Sequence, residues 1–170
     1  DQPRSRGLGD VYKRQVHPSL VGVAIGIGAV GGILGGVIVG PVVQRYGFRV
    51  SFLIGTVCMA AGTLALMAIA PIKGLGFVAG IAFELTTAAG GTIAIAGSMG
   101  RLQEETNRNE TARTMSGASL ALELTGLLGI GAGVLVAEWF NLNAAFITSL
   151  AIYATIVVAS VVRVFVTSRR

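Results

Sequence analysis

The chain has 170 residues, of which 53% are hydrophobic and 12% are charged, and its formal net charge is +5. Its mean hydropathy is +0.76, and charged residues are about half as frequent as in an average soluble domain. One soluble core of this size could not bury so much apolar sequence, so the composition predicts a polytopic membrane protein. The single cysteine, Cys58, excludes a disulfide framework and a cysteine-based metal site.

The N-terminal segment requires separate treatment. Residues 5–15, SRGLGDVYKRQ, are the codon-for-codon translation of a DNA string that resembles a transposase-type sequencing adapter. We therefore interpret residues 1–15 as non-native and residues 16–170 as the native region, which predicts that the natural protein begins upstream. The alternative interpretation is a basic arm beside the membrane that is attracted to anionic lipid.

Five apolar segments follow, and each has the roughly 20 residues that a helix needs to cross a bilayer. They cover approximately residues 19–43, 50–70, 75–99, 115–137 and 144–165. Helices are expected because the backbone must satisfy its own hydrogen bonds in lipid. The short alternating segments typical of a transmembrane barrel do not occur. The sequence therefore predicts an all-α membrane protein that forms a bundle of five transmembrane helices.

The charges of the connections predict the orientation of the bundle. Connections 44–49 and 100–114 and the tail after residue 165 carry arginines, whereas the opposite side has only Lys73. Because positive charges stay in the cytoplasm, both connections and the C-terminus are predicted to be cytoplasmic. These arginines are Arg45, Arg49, Arg101, Arg108, Arg113, Arg169 and Arg170. We expect the bacterial inner (plasma) membrane as the location.

The first span contains a ladder of glycines at a spacing of four. Its members are Gly28, Gly32, Gly36 and Gly40. This spacing places them on one stripe of the helix, where another helix backbone can approach closely. Close helix packing is one interpretation of the stripe. The other is a smooth surface on which a moving helix can slide or rock.

An internal repeat relates two parts of the chain. Residues 32–52 align without gaps on residues 126–146, with five identical positions. In this alignment Gly47 pairs with Asn141, and both residue types tolerate positive φ in a turn. The second copy is predicted to turn on the outer side of the membrane, so the two copies have opposite orientations. An inverted-topology repeat of this kind is characteristic of secondary transporters.

The segment between the first two spans reads GPVVQRYGFR at residues 40–49. It resembles the cytoplasmic signature of the major facilitator superfamily, which has a glycine, three residues, an aspartate, a basic residue, any residue, a glycine and then basic residues. Gly40, Arg45, Gly47 and Arg49 match, and Gln44 stands where the family has its aspartate. A longer charged connection followed by a glycine-rich span also fits the family.

The resemblance implies that the five spans are helices two to six of one six-helix half. The weakened signature and the end of the chain at TSRR indicate the C-terminal half. The alternative is a first half that ends at the large central loop. In the family the signature acts as a latch against the neighbouring bundle, and Gln44 cannot supply the anion of that latch. Arg45 and Arg49 have an alternative role as charges that keep the connection in the cytoplasm.

Two carboxylates lie within the predicted spans. Glu84 is in the third span and Glu123 in the fourth, both near mid-depth, and both have nearby threonines such as Thr87 and Thr125. A carboxylate in hydrocarbon is costly unless it is protonated, paired or in contact with water. One hypothesis is that one or both line a central cavity and couple proton movement or bind a cationic group. The alternative is a protonated glutamate that ties two helices together.

The leading functional hypothesis is a secondary active transporter that moves a small solute by alternating access, with proton coupling included. Its partners would be the solute, protons, the lipid bilayer and the missing half of the same polypeptide. An enzyme, a cofactor, a metal site and a nucleic-acid partner are not expected. The alternative is a non-transporting membrane protein, such as an assembly factor or receptor, that keeps the fold.

Overall fold

The structure is a computed structural model that describes residues 18–167, with side chains described between residues 22 and 162 except at 24 and 25. Within this range the chain is helical and forms four helices. They are α1 (Pro18–Ile69), α2 (Gly76–Glu105), α3 (Thr111–Trp139) and α4 (Leu142–Thr167). The prediction of an all-α protein is confirmed. The predicted non-native segment 1–15 and the terminal pair Arg169 and Arg170 lie outside the described residues.

Four helices in the described part of the chain are long and apolar enough to cross a membrane, whereas the sequence predicts five spans. They cover Gly26–Ile69, Gly76–Glu105, Thr111–Trp139 and Leu142–Val162. The difference arises because the first two predicted spans belong to α1. Only Gly47 departs from helical geometry inside α1, with φ 77° and ψ 168°. This backbone region is essentially restricted to glycine. We call residues 18–46 the first arm of α1 and residues 48–69 the second arm.

Both arms of α1 pack against α2, and the order of their contacts gives their directions. Along the first arm the contacts on α2 move toward its C-terminus, and along the second arm they move toward its N-terminus. The contacting pairs are Gly31 with Leu85 and Gly35 with Ala89 on the first arm, and Gly55 with Gly90 and Gly62 with Thr86 on the second. α2 is therefore parallel to the first arm and antiparallel to the second. The chain consequently reverses direction at Gly47.

The connections between α2 and α3 and between α3 and α4 are shorter than the sequence predicts, whereas the connection between α1 and α2 covers residues 70–75 instead of 71–74. The predicted connection 100–114 is reduced to residues 106–110, because α2 continues through Glu105 and α3 begins at Thr111. Arg101 and Glu105 form an ion pair at 2.8 Å with i,i+4 spacing, an arrangement that supports helical structure. Most of the charged residues that were expected in a loop therefore lie on helices.

The two turns of the internal repeat have different structures. Gly47 has positive φ, as predicted, whereas all described residues with positive φ are glycines and Asn141 is not among them. Instead, Asn141 Oδ1 accepts a hydrogen bond from the backbone nitrogen of Ala144 at 2.8 Å. This is the geometry of a helix N-cap. Asn141 therefore caps the start of α4 through its side chain, without a left-handed backbone.

Packing is tight between α1 and α2 and loose elsewhere. Residues such as Ala79 and Ile93 of α2 and Thr63 of α1 are buried, whereas α3 has no buried residue. The ring of Phe83 on α2 meets that of Phe146 on α4 edge to face, with centroids 6.2 Å apart. Much of the apolar surface of α3 and α4 is thus exposed, as expected for helices that face lipid or other helices.

Candidate functional site

Glu84 lies on α2 at the interface with the first arm of α1. The side chain is half-buried, and its Oε2 is 3.1 Å from the position that a Cβ atom on Gly28 would occupy. One residue further along α2, the backbone of Leu85 lies against Gly31. Among the described residues, none donates a hydrogen bond to the Glu84 carboxylate or forms an ion pair with it. The site is therefore an ionisable group held between two apolar helices.

Thr87 lies on the side of α2 that faces the second arm. Its hydroxyl donates to the carbonyl oxygen of Phe83 at 2.6 Å, and its Cγ2 is 3.2 Å from the position of a Cβ on Gly62. The Glu84 carboxylate faces the first arm, so the two side chains point to different neighbours. The structure does not bring the Thr87 hydroxyl to the carboxylate, because the backbone of α2 already accepts its hydrogen bond.

Glu123 is exposed on α3, close to a groove between α2 and α3. The groove has a volume of about 330 Å³ and a mainly apolar lining. Its lining residues are Ser98, Met99 and Leu102 of α2 and Ala118, Ala121, Leu122 and Thr125 of α3. The Thr125 hydroxyl donates to the carbonyl oxygen of Ala121 at 2.6 Å. As with Thr87, the hydroxyl of the threonine beside the glutamate is already hydrogen-bonded to the backbone of its own helix.

The groove also indicates how far apart Glu84 and Glu123 lie along the axis of α2. The groove brings residues 98–102 of α2 beside residues 118–125 of α3, so Glu123 lies next to a part of α2 that begins about 14 residues beyond Glu84. At about 1.5 Å per residue this is a separation of roughly 20 Å along the helix. The two carboxylates therefore lie beside different parts of α2 and do not form a pair.

The predicted signature segment forms an exposed turn at the reversal of α1. Gln44, Arg45 and Arg49 are exposed, and the Arg45 guanidinium lies 5.4 Å from the centroid of the Tyr46 ring, within cation–π range. The Ser51 hydroxyl donates to the carbonyl oxygen of Gly47 at 2.9 Å. The turn is thus closed by local contacts, and its cations remain accessible. Gly40 has no described atom within 4 Å of a Cβ position.

The glycine ladder coincides only partly with the interface between the first arm and α2. Gly28 faces Glu84, and Gly32 is in ordinary contact with Thr92 Oγ1 at 3.6 Å. Gly36, like Gly40, has no described atom within 4 Å of its Cβ position. The closest backbone approach occurs instead at Gly31 and Gly35, where a Cβ would collide with carbonyl oxygens of α2. These two also have a spacing of four, which is the signal that could have identified them.

Long apolar helices throughout the described region define the chain as a helical integral membrane protein. Its sequence matches the model of the Major Facilitator Superfamily over residues 8–170. The chain belongs to this superfamily, and it is therefore a transmembrane transport protein of the type that carries small solutes. Comparisons with curated proteins and with solved structures gave no match. The matched range covers the whole described bundle and includes part of the predicted non-native segment.

Proposed function

We propose that this chain supplies five crossings of a secondary transporter that moves a small solute by alternating access. α1 then crosses the membrane twice, once with each arm. As a single straight helix its 52 residues would extend about 78 Å, more than twice the roughly 30 Å of the hydrocarbon core. The antiparallel directions of the two arms support this assignment. In this assignment residues 44–49 lie on one side of the membrane and Lys73 lies on the other.

The observation that carries the proposed mechanism is the position of Glu84. A half-buried carboxylate without a described hydrogen-bond donor or cationic partner lies between apolar helices. Such a group is costly in a membrane unless it binds a proton, a cation or water. We assign Glu84 the role of a group that gains and loses a proton, or binds a cationic solute, during the transport cycle. Glu123 is a second candidate at a different level, and Thr87 is a candidate contact on the opposite side of α2.

The remaining helices of the transporter would be the partner of this bundle. The exposed apolar surfaces of α3 and α4 support contacts with further helices of the same polypeptide. We assign the present chain to the C-terminal half of the transporter. The exposed turn at residues 44–49 would face the neighbouring bundle on the cytoplasmic side. We propose the bacterial inner membrane as the location of the protein. Because Gln44 is uncharged, we expect it to contribute a hydrogen bond to this latch and the arginines to fix the orientation.

Transport by the complete polypeptide tests this proposal. The variants Glu84→Gln and Glu123→Gln preserve side-chain size and remove the ionisable group. Uptake and efflux of labelled sugars, amino acids and the cation tetraphenylphosphonium would be measured in vesicles with and without a pH gradient. We expect Glu84→Gln to reduce pH-gradient-driven transport at least tenfold. Glu104→Gln, which changes an exposed carboxylate at the end of α2, is the matched control.

The results separate the proposal from its alternative. Unchanged transport in both Glu84→Gln and Glu123→Gln would eliminate a coupling role for the carboxylates. If the wild-type protein reached the membrane but transported nothing in a broad panel of solutes, the alternative would be favoured. That alternative is a non-transporting receptor or assembly factor that keeps the fold, with both glutamates purely structural.

A further inference from the structure

The contact between Gly28 and Glu84 differs from the other glycine contacts of the first arm. Gly31 and Gly35 face backbone carbonyl groups of α2, and Gly32 faces a threonine hydroxyl at an ordinary distance. At Gly28 the nearest atom to a Cβ position is a carboxylate oxygen, Oε2 of Glu84, at 3.1 Å. Gly28 is thus the described glycine of the first arm at which the absence of a side chain directly affects an ionisable group.

We propose that Gly28 is a positioning residue for Glu84, because the space left by its missing side chain accommodates the carboxylate against the first arm of α1. The importance of this contact for transport rests on the function proposed above for Glu84. The contact itself involves only Gly28 and Glu84. In this arrangement the carboxylate keeps its position between the helices without displacing the closely packed backbones at Gly31 and Gly35.

A methyl group at position 28 would change the surroundings of the carboxylate in two ways. At 3.1 Å the new carbon would be closer than ordinary van der Waals contact, so the carboxylate would have to shift. The methyl group would also replace space available to water or a proton donor with apolar surface. Both changes alter the solvation of the carboxyl group, on which its protonation depends.

Few other charges could produce or mask this effect. The first arm has no titratable residue between positions 22 and 44. On the second arm the described titratable groups are Arg49 at the turn and Cys58, whose Cβ faces Gly90 of α2. α3 carries Glu123 at a level roughly 20 Å away along the helix axis. α4, which meets α2 through Phe146, carries Tyr153. Its ring is half-buried, and no hydrogen bond joins it to Glu84 among the described residues.

Labelling by a lipid-soluble carbodiimide tests the proposal without knowledge of the solute. Dicyclohexylcarbodiimide reacts with protonated carboxyl groups and forms an N-acylurea that mass spectrometry of the peptide detects. The complete protein in liposomes would be labelled across a range of pH, and the midpoint of labelling at Glu84 determined. We expect Gly28→Ala to shift this midpoint by roughly half a pH unit or more relative to the wild type.

Gly26→Ala is the matched control. Gly26 lies on the same arm, has no described atom within 4 Å of a Cβ position and gains a similar helix propensity from alanine. We expect its labelling midpoint to equal that of the wild type. A rescue variant combines Gly28→Ala with Glu84→Asp, which shortens the acid by one methylene and withdraws it from the methyl group. In the Glu84→Asp background, Gly28→Ala should move the midpoint much less than in the wild type.

Each outcome supports or overturns the inference. Equal midpoints for Gly28→Ala and Gly26→Ala would overturn it, and so would equal shifts in the glutamate and aspartate backgrounds. If Gly28→Ala alone failed to fold, recovery of folded protein with Glu84→Asp would support the steric contact, and failure of both would overturn it. A midpoint shift together with normal transport by Glu84→Gln would instead contradict the proposed function and leave the contact intact.

Discussion

Gly47 is the residue on which the shape of α1 depends. Its φ of 77° and ψ of 168° lie in a backbone region that side chains with a Cβ rarely adopt. Gly47→Ala should therefore destabilise the bundle by about 1–3 kcal/mol. Thermal unfolding of the detergent-solubilised protein measures this. Gly80→Ala is the control, because Gly80 lies inside α2 with no described atom within 4 Å of a Cβ position. Equal melting temperatures for the two variants would contradict the assignment of strain to Gly47.

The conformation of a single residue could be predicted where one chemical property of that residue determines it. Gly47 was expected in a turn, and the structure confirms its positive φ. Asn141 was expected to behave similarly, but asparagine can also accept a hydrogen bond at a helix N-terminus, and this second property decides its geometry. The contact between Glu84 and Gly28 was not predictable, because the relative register of two helices in contact is set by packing along their whole length.

At the level of elements, the close approach of the first arm to α2 depends on Gly31 and Gly35. A Cβ on Gly35 would lie 2.5 Å from the carbonyl oxygen of Ala89, whereas the adjacent Gly36 has no described neighbour within 4 Å. Gly35→Ala should therefore cost about 1–3 kcal/mol through overpacking. Gly36→Ala should be neutral or slightly stabilising, since alanine favours a helix. Thermal unfolding of the two variants compares them directly. A larger loss for Gly36→Ala would contradict this register.

The sequence shows the apolar segments clearly, but it predicts less well where each helix begins and ends. Hydropathy ends a span at the first charged residues, but backbone hydrogen bonding does not, so α2 continues through the Arg101–Glu105 ion pair. The same error occurs at residues 44–49. A polar connection was expected there, yet the reversal needs only Gly47 to leave helical geometry. In both places the charge pattern does not mark the end of the helical segment.

For the whole molecule, the number of crossings is the first quantity to measure. Single cysteines replacing Gln44, Lys73 and Asn107 in a Cys58→Ser background would be labelled with a membrane-impermeant maleimide in inverted and right-side-out vesicles. With five crossings, the cysteines at positions 44 and 107 react only from the cytoplasmic face and the one at 73 only from the outer face. Protection of position 44 from both faces would show that α1 crosses only once. Asn107 serves as the internal reference for the cytoplasmic side.

The fold class and the family follow from features spread along the whole chain, which is why both were predictable. Apolar composition predicts membrane-spanning helices, and the segment at residues 40–49 resembles the signature of the family that matches residues 8–170. The arrangement of the two glutamates could not be predicted in the same way. Each lies in the middle of an apolar span in the sequence, but the groove between α2 and α3 aligns their helices so that the carboxylates are well separated.

The most direct test of the central claim is whether proton movement through the complete transporter requires Glu84. The purified protein would be reconstituted in liposomes that contain a pH-sensitive dye, and a gradient of the transported solute would then be imposed. The wild-type protein should change the internal pH as the solute moves, and Glu84→Gln should abolish this change while Glu104→Gln retains it. Solute-driven proton movement at the wild-type rate in Glu84→Gln would contradict the role assigned to this carboxylate.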